Sequence, residues 1–154
     1  LGFCLGCQLL GEVIGGKVIK SDPPEIGILD IDLLNEKKTD HLFSSFPNTL
    51  KALQWHSYEV SDLENNNNVK LISSSDSTKY QIFKYKNHAY GIQFHIEIKG
   101  NTVSDWGNIK EYKQALEISM GKGALNDLRL EAQKNMNQMN DLASTLYKNF
   151  INLI

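Results

Sequence analysis

Between residues 1 and 16 the apolar side chains recur at Leu9, Leu10, Val13 and Ile14, the i, i+1, i+4, i+5 spacing of one helix face. That spacing predicts a helix starting directly after Cys4 and ending at Gly15-Gly16, a pair suited to a C-cap. The period then shortens to that of strands. Residues 17–20 read as a short strand, Ser21-Asp22-Pro23-Pro24 as a loop, and 25–34, apolar and rich in β-branched residues, as a second strand. Residues 35–40 form a polar turn, and Asp40 is placed to N-cap a short helix through Phe46 that Pro47 stops. Residues 50–60 read as a strand running into a loop that carries Trp55-His56. The asparagine-rich stretch 62–68 is a solvated turn. Residues 69–72 form a further strand, and 80–85 and 89–94 pair as a hairpin across Lys86-Asn87-His88.

Beyond Gly100 the pattern becomes helical. Residues 102–119 predict one or two short helices before Gly121-Lys122-Gly123. From Leu125, the positions Leu128, Ala132, Met136, Met139, Leu142, Leu146, Phe150 and Leu153 follow i+3/i+4 steps, the stripe of a long amphipathic helix. The stripe is expected to pack against the sheet; the alternative is a helix that offers it to a partner. Several strands, a helix after the first corner and a closing helical segment give an α/β class, a sandwich flavodoxin-like in style. No internal repeat and no domain-scale linker is visible.

Composition narrows the function classes. The 154 residues fit one domain with a real core, 41% hydrophobic and 22% charged. A formal net charge of -2 and a pI near 6.1 give no electrostatic basis for binding nucleic acid or an anionic membrane. No apolar run approaches the length of a bilayer span. Two cysteines exclude a disulfide-rich secreted scaffold, so a reducing cytoplasm is expected. Cys4-Leu5-Gly6-Cys7 is a C-x-x-C, which raises thiol-redox chemistry. No further cysteine or nearby histidine completes a zinc set, and neither a metal nor a cofactor is expected.

The candidate chemistry centres on Cys4. It lies between Gly2 and Gly6 at the start of a predicted helix, the design of a nucleophile elbow, in which small neighbours let the chain turn sharply and expose the central side chain. A helix N-terminus also favours thiolate over thiol. The alternative is a buried structural cysteine beside a turn. A nucleophilic thiol needs a base, and the base an orienting acceptor. His41 in a polar turn and His88 at a hairpin tip read as surface residues, and His56 after a tryptophan is ambiguous. His95 ends an apolar strand with Glu97 two residues on, and i and i+2 project to one side of an extended chain. Glu97 can therefore hold one ring nitrogen of His95 while the other faces Cys4. Cys7, three residues into the turn and helix, is expected to point away from His95.

Gly2-x-Cys4-x-Gly6-x-Gln8, then Trp55-His56, then Gly91-x-Gln93-Phe94-His95-x-Glu97 together resemble the class I (triad-type) glutamine amidotransferases, in the family's order and across the chain. The helical end, with Trp106, resembles stand-alone members related to the glutaminase domain of GMP synthase. The resemblance implies a three-layer α/β sandwich and a Cys4-His95-Glu97 triad that hydrolyses L-glutamine to glutamate and ammonia. It implies an oxyanion donor at the Leu5 N–H, Gln8 helping to hold glutamine, Trp55 and His56 lining the site, and a synthetase subunit or domain as acceptor of ammonia. A γ-glutamyl hydrolase-like enzyme and a non-catalytic regulatory subunit of the same fold are the alternatives. Many members carry histidine where Cys7 stands, and a W-H-x-D where this chain reads Trp55-His56-Ser57-Tyr58. The chain opens at Leu1 inside the first motif, with no evident strand ahead of Cys4. The expectation is therefore the C-terminal two-thirds of one domain, 1–100 bearing the site and 101–154 closing it. Roughly 60 to 90 residues of strands and helices would be lacking, together with a second oxyanion donor, and the 154 residues alone are expected to aggregate and to be inactive.

Overall fold

The computed structural model describes residues 1–153. In chain order it contains β1 (Gly2–Phe3), α1 (Leu5–Val13), β2 (Lys17–Leu33), a 3-10 turn (Asn35–Thr39), β3 (Thr49–Ser61), β4 (Val69–Ser74), β5 (Ile82–Tyr85), β6 (Ala89–Ile92), α2 (Thr102–Gly107), α3 (Lys110–Met120) and α4 (Ala124–Ile151). The six strands form one sheet in the order β1-β6-β5-β4-β2-β3. Among the described residues only β1 and β6 run parallel; every other ladder is antiparallel.

Alternation along the strands gives each face of the sheet its own core. Ile72, Ile82 and Tyr90 join Leu128, Ala132, Met139 and Leu146 of α4 in the larger cluster. Their sequence neighbours Leu71 and Phe83 join Cys7, Val60 and the partly buried Leu10 and Ile14 in the smaller one, beneath α1. The result is the expected α/β arrangement of a sheet between α1 and the three later helices. The α4 stripe packs on the sheet as predicted, except that Leu153 lies beyond the helix and is exposed.

Several local expectations are corrected. Residues 17–33 are one strand, not two flanking a loop: the ladder to β3 runs through Lys20, shifts register, and resumes at Glu25. An irregularity absorbs the two prolines, which have no N–H to give a ladder. Trp55 and His56 lie inside β3, not on a loop, paired with Ile26 and Glu25. Residues 35–39 wind into a 3-10 turn. Asp40 caps as expected, its Oδ1 accepting the N–H groups of Leu42 and Phe43, but residues 41–45 form a hydrogen-bonded turn and no regular helix. In α1 the buried side is Cys7, Gln8 and Gly11, while Leu9 and Val13 face out. A Cβ on Gly11 would lie 2.6 Å from Val60 Cγ1, so glycine is what lets the helix approach the sheet.

Two features place the site. Cys4 does have a strand ahead of it, although a short one: Gly2 and Phe3 pair with Gly91 and Ile92. Beyond β6 the chain then crosses to β3, where Leu53 and His95 exchange both backbone hydrogen bonds at 2.9 Å. That bridge joins the run after β6 to a strand at the far end of the sheet order and curls the sheet.

Candidate active site

Cys4 sits between β1 and α1 as the helix N-cap, with φ 44° and ψ −101°. A positive φ is uncommon for any residue but glycine. It is held here by the Cys4 N–H donating to Ile92 O at 2.8 Å and by Cys4 O accepting from the Gln8 N–H at 3.1 Å. A Cβ on Gly2 would collide with the Gly6 carbonyl, whereas one on Gly6 would meet open space, so crowding among the described residues demands a glycine only on the first side of the turn. The Leu5 N–H, in the first turn of α1, has no carbonyl four residues back within the helix to bind.

His95 is set by its backbone bridge to Leu53 and by the Trp106 ring, edge-on at 5.0 Å between centroids. Its Nδ1 lies 2.5 Å from Glu97 Oε1, while Glu97 Oε2 accepts the Ile96 N–H at 2.9 Å. Cys4 is the other group that acts on the ring. Burial pulls the His95 pKa down, but Cys4 and Glu97, with their negative charge, outweigh it and raise the value to about 9. Burial pushes the Glu97 carboxyl up, and the His95 hydrogen bond and charge outweigh it in turn, leaving it below its ordinary range. Thiol, imidazole and carboxylate thus act on one another in the order that chemistry on a thiolate requires. The second thiol is different: Cys7 is fully buried, and burial, with Cys4 adding to it, drives its pKa far up.

A cavity of about 330 Å³ opens beside Cys4, lined by Leu5, Gln8, Trp55, His56, Tyr58 and Tyr112 among others. Leu5, Gln8, Trp55 and His56 thus share the wall of this cavity with Cys4, while His41 and His88 are exposed and do not line it. Trp55 is clamped by Trp106 and Tyr112, with its Nε1 donating to Tyr112 O at 3.3 Å. Gln8 is less free than a substrate ligand was expected to be, since its Nε2 donates to Tyr58 O at 2.8 Å and to Gln93 Oε1 at 3.3 Å. The ambiguous His56 is buried, with Nδ1 3.0 Å from Tyr58 O and Nε2 3.0 Å from Glu25 Oε2, the latter an ion-pair approach off the line of an aligned hydrogen bond. Burial raises the Glu25 carboxyl, but the close approach of His56 and hydrogen bonds from Thr78 and Ser75 bring it below its ordinary range. Sequence reasoning missed Glu25 and the part played by Gln93, whose Nε2 lies 3.7 Å from Cys4 Sγ. The sequence signal for Glu25 was a lone acid amid apolar strand residues.

A family model described as glutamine amidotransferase class-I matches residues 1–105. The chain belongs to the class-I glutamine amidotransferases. Among similar proteins is a glutamine-hydrolyzing GMP synthase subunit of Sulfolobus acidocaldarius, 33% identical over 100 residues, which are 64% of this chain and 50% of that protein. The putative glutamine amidotransferase-like protein YfeJ of Salmonella typhimurium is 31% identical over 141 residues, 92% of this chain and 57% of the relative. A crystal structure of a glutamine amidotransferase from Thermotoga maritima superposes with a TM-score of 0.79 at 28% identity, over 97% of this chain and 61% of that one. The amidotransferase chain thus spans about half to three-fifths of the length of these relatives. No helix among its described residues is long and apolar enough to cross a membrane.

Proposed function

We propose that this amidotransferase hydrolyses the side-chain amide of L-glutamine and passes the ammonia to an acceptor, with Cys4 as nucleophile, His95 as proton shuttle and Glu97 as its orienting acid. The observation that carries the reading is the Glu97–His95 pair, whose ring is raised in pKa by Cys4 as well as by Glu97, with Cys4 on the wall of a cavity of about 330 Å³. The Cys4 thiolate attacks the amide carbon to give a tetrahedral oxyanion. The carbon–nitrogen bond then breaks, His95 delivers a proton to the leaving nitrogen, and a γ-glutamyl thioester remains. Water attacks the thioester, His95 takes its proton, and glutamate departs as the sulfur is released. The Leu5 N–H, at the positive end of α1, is aimed to stabilise the oxyanion; one such donor is worth about 3 kcal/mol. Gln8, Trp55 and His56 form the wall against which glutamine lies.

We read residues 1–154 as belonging to a single type 1 amidotransferase domain, the family model matching 1–105. Its likeness to a glutamine-hydrolyzing GMP synthase subunit supports a synthetase partner as the consumer of ammonia and a reducing cytoplasm as its setting. The test is ammonia release from L-glutamine by the intact natural protein and by its Cys4→Ser variant. Serine is the weaker nucleophile at neutral pH, so release is expected to fall by about 10³-fold or more with the fold unchanged. Turnover by the serine variant within ten-fold of wild type would overturn the assignment. Glutamate release from γ-glutamyl peptides in place of free glutamine would point to the hydrolase relatives.

A further inference from the structure

A polar chain runs beneath the cavity, and the triad does not use it. It begins at Glu25, whose side chain is 4% exposed and accepts from Thr78 Oγ1 at 2.7 Å, Gln81 Nε2 at 3.0 Å and Ser75 Oγ at 3.0 Å. His56 follows, 2% exposed in its side chain, between the Glu25 carboxylate and the Tyr58 carbonyl. The same carbonyl accepts the Gln8 amide, Gln8 donates onward to Gln93 Oε1, and Gln93 Nε2 ends 3.7 Å from Cys4 Sγ. Gln93 is wholly buried and Gln8 nearly so.

The chain has a direction. His56 lies with Nδ1 3.0 Å from the Tyr58 carbonyl and Nε2 3.0 Å from the Glu25 carboxylate. The Tyr58 carbonyl can only accept, so it fixes the Gln8 amide with its NH₂ toward it. Gln8 spends one amide hydrogen there and the other on Gln93 Oε1. With its oxygen engaged, the Gln93 side chain has to turn its NH₂ to the sulfur; the flipped amide would set NH₂ against NH₂ and oxygen against sulfur. A hydrogen bond donated to sulfur favours the charged thiolate.

We propose that Gln93 is a positioning residue for the Cys4 sulfur, and that Gln8, oriented by the Tyr58 carbonyl that His56 and Glu25 help to hold in place, fixes which end of its amide faces that sulfur. The proposal rests on Cys4 being the nucleophile, and it is tested by a reaction that needs no glutamine. Alkylation of Cys4 by iodoacetamide at pH 7 is followed in the intact protein beside kcat and KM for glutamine. Gln93→Met keeps the bulk and removes the donor. It is expected to slow alkylation about ten-fold, the worth of one such hydrogen bond, and to lower kcat comparably with KM within about two-fold. Glu25→Gln is expected to act in the same direction. Because it alters a buried carboxylate that accepts from Ser75, Thr78 and Gln81 and can unfold the chain, Glu25→Gln with His56→Gln is the second variant. In that background the further change Gln93→Met is expected to cost less than about two-fold more, since residues acting as one unit are not additive. An alkylation rate within two-fold of wild type in Gln93→Met overturns the proposal, and so do effects of the two ends that multiply in full. Absence of ammonia release by the wild type, with the alkylation pattern as described, sinks the glutaminase reading instead.

Discussion

Glu97→Gln removes one negative charge from beside His95, the proposed proton shuttle, and keeps the shape of the side chain. In the native site His95 is raised from 6.5 to about 9 although burial acts against it. A difference of that size corresponds to about 3 kcal/mol in favour of the protonated ring. Two partners share it, Cys4 and Glu97. Glu97 has a side chain 44% exposed, so water screens its part to about 1 kcal/mol, worth a little under one pH unit. Because the folded value is raised, the stability it contributes is fully present below about pH 6.5 and is lost as the pH rises through about 9. Two measurements test this. The alkaline limb of the rate profile, for ammonia release and for Cys4 alkylation, is expected near pH 9 in wild type and near pH 8 in Glu97→Gln. In urea unfolding, the variant is expected to be about 1 kcal/mol less stable at pH 6, a deficit that shrinks toward pH 10. An alkaline limb that stays at pH 9 in Glu97→Gln, or a stability loss that is the same at pH 6 and pH 10, refutes the assignment of Glu97 as the charge partner of His95.

Iodoacetamide at neutral pH is expected to label Cys4 and spare the fully buried Cys7, with glutamine protecting Cys4. Cys7→Ala is expected to retain more than half of the activity, as peptide mapping and ammonia release will show. Gly91→Ala would place a Cβ 2.5 Å from Phe83 Cζ and 2.9 Å from Cys7 Sγ, and is expected to cost about 1–3 kcal/mol in urea unfolding. Gln54 is wholly buried, and neither end of its amide finds a partner among the described residues. Gln54→Leu is therefore expected to raise stability by about 1 kcal/mol while leaving kcat unchanged, read by the shift in the urea midpoint.

How legible each feature was in the sequence depends on the range of the interactions that make it. The local placement of Cys4, His95 and Glu97 was legible because each is marked by its immediate neighbours: a glycine before the turn, and an i, i+2 pair on an extended chain. The long closing helix was legible because its stripe persists over many turns. The α1 face was misjudged for a definite reason. The helix has two apolar stripes, and the buried one is marked by Gly11 and Cys7, whose small size permits close approach but scores weakly as hydrophobic pattern. The run through Pro23-Pro24 looked like a loop because its continuation depends on β3 lying alongside. Glu25 could not be assigned, since its meaning comes from a register that sets it opposite His56, 31 residues away along the chain.

The thiol and the ring that serves it stand on different supports. Cys4 is tied through its N–H to Ile92 at the end of β6, while His95 is tied by both backbone bonds to Leu53 in β3. The gap between sulfur and imidazole is accordingly a gauge of how far the sheet is rolled. Flattening the sheet would draw the two apart with every rotamer unchanged, and tightening it would press them together. A contact made anywhere along the long β2–β3 ribbon, remote from the cavity, thereby has a mechanical lever on the spacing of the proposed nucleophile and base.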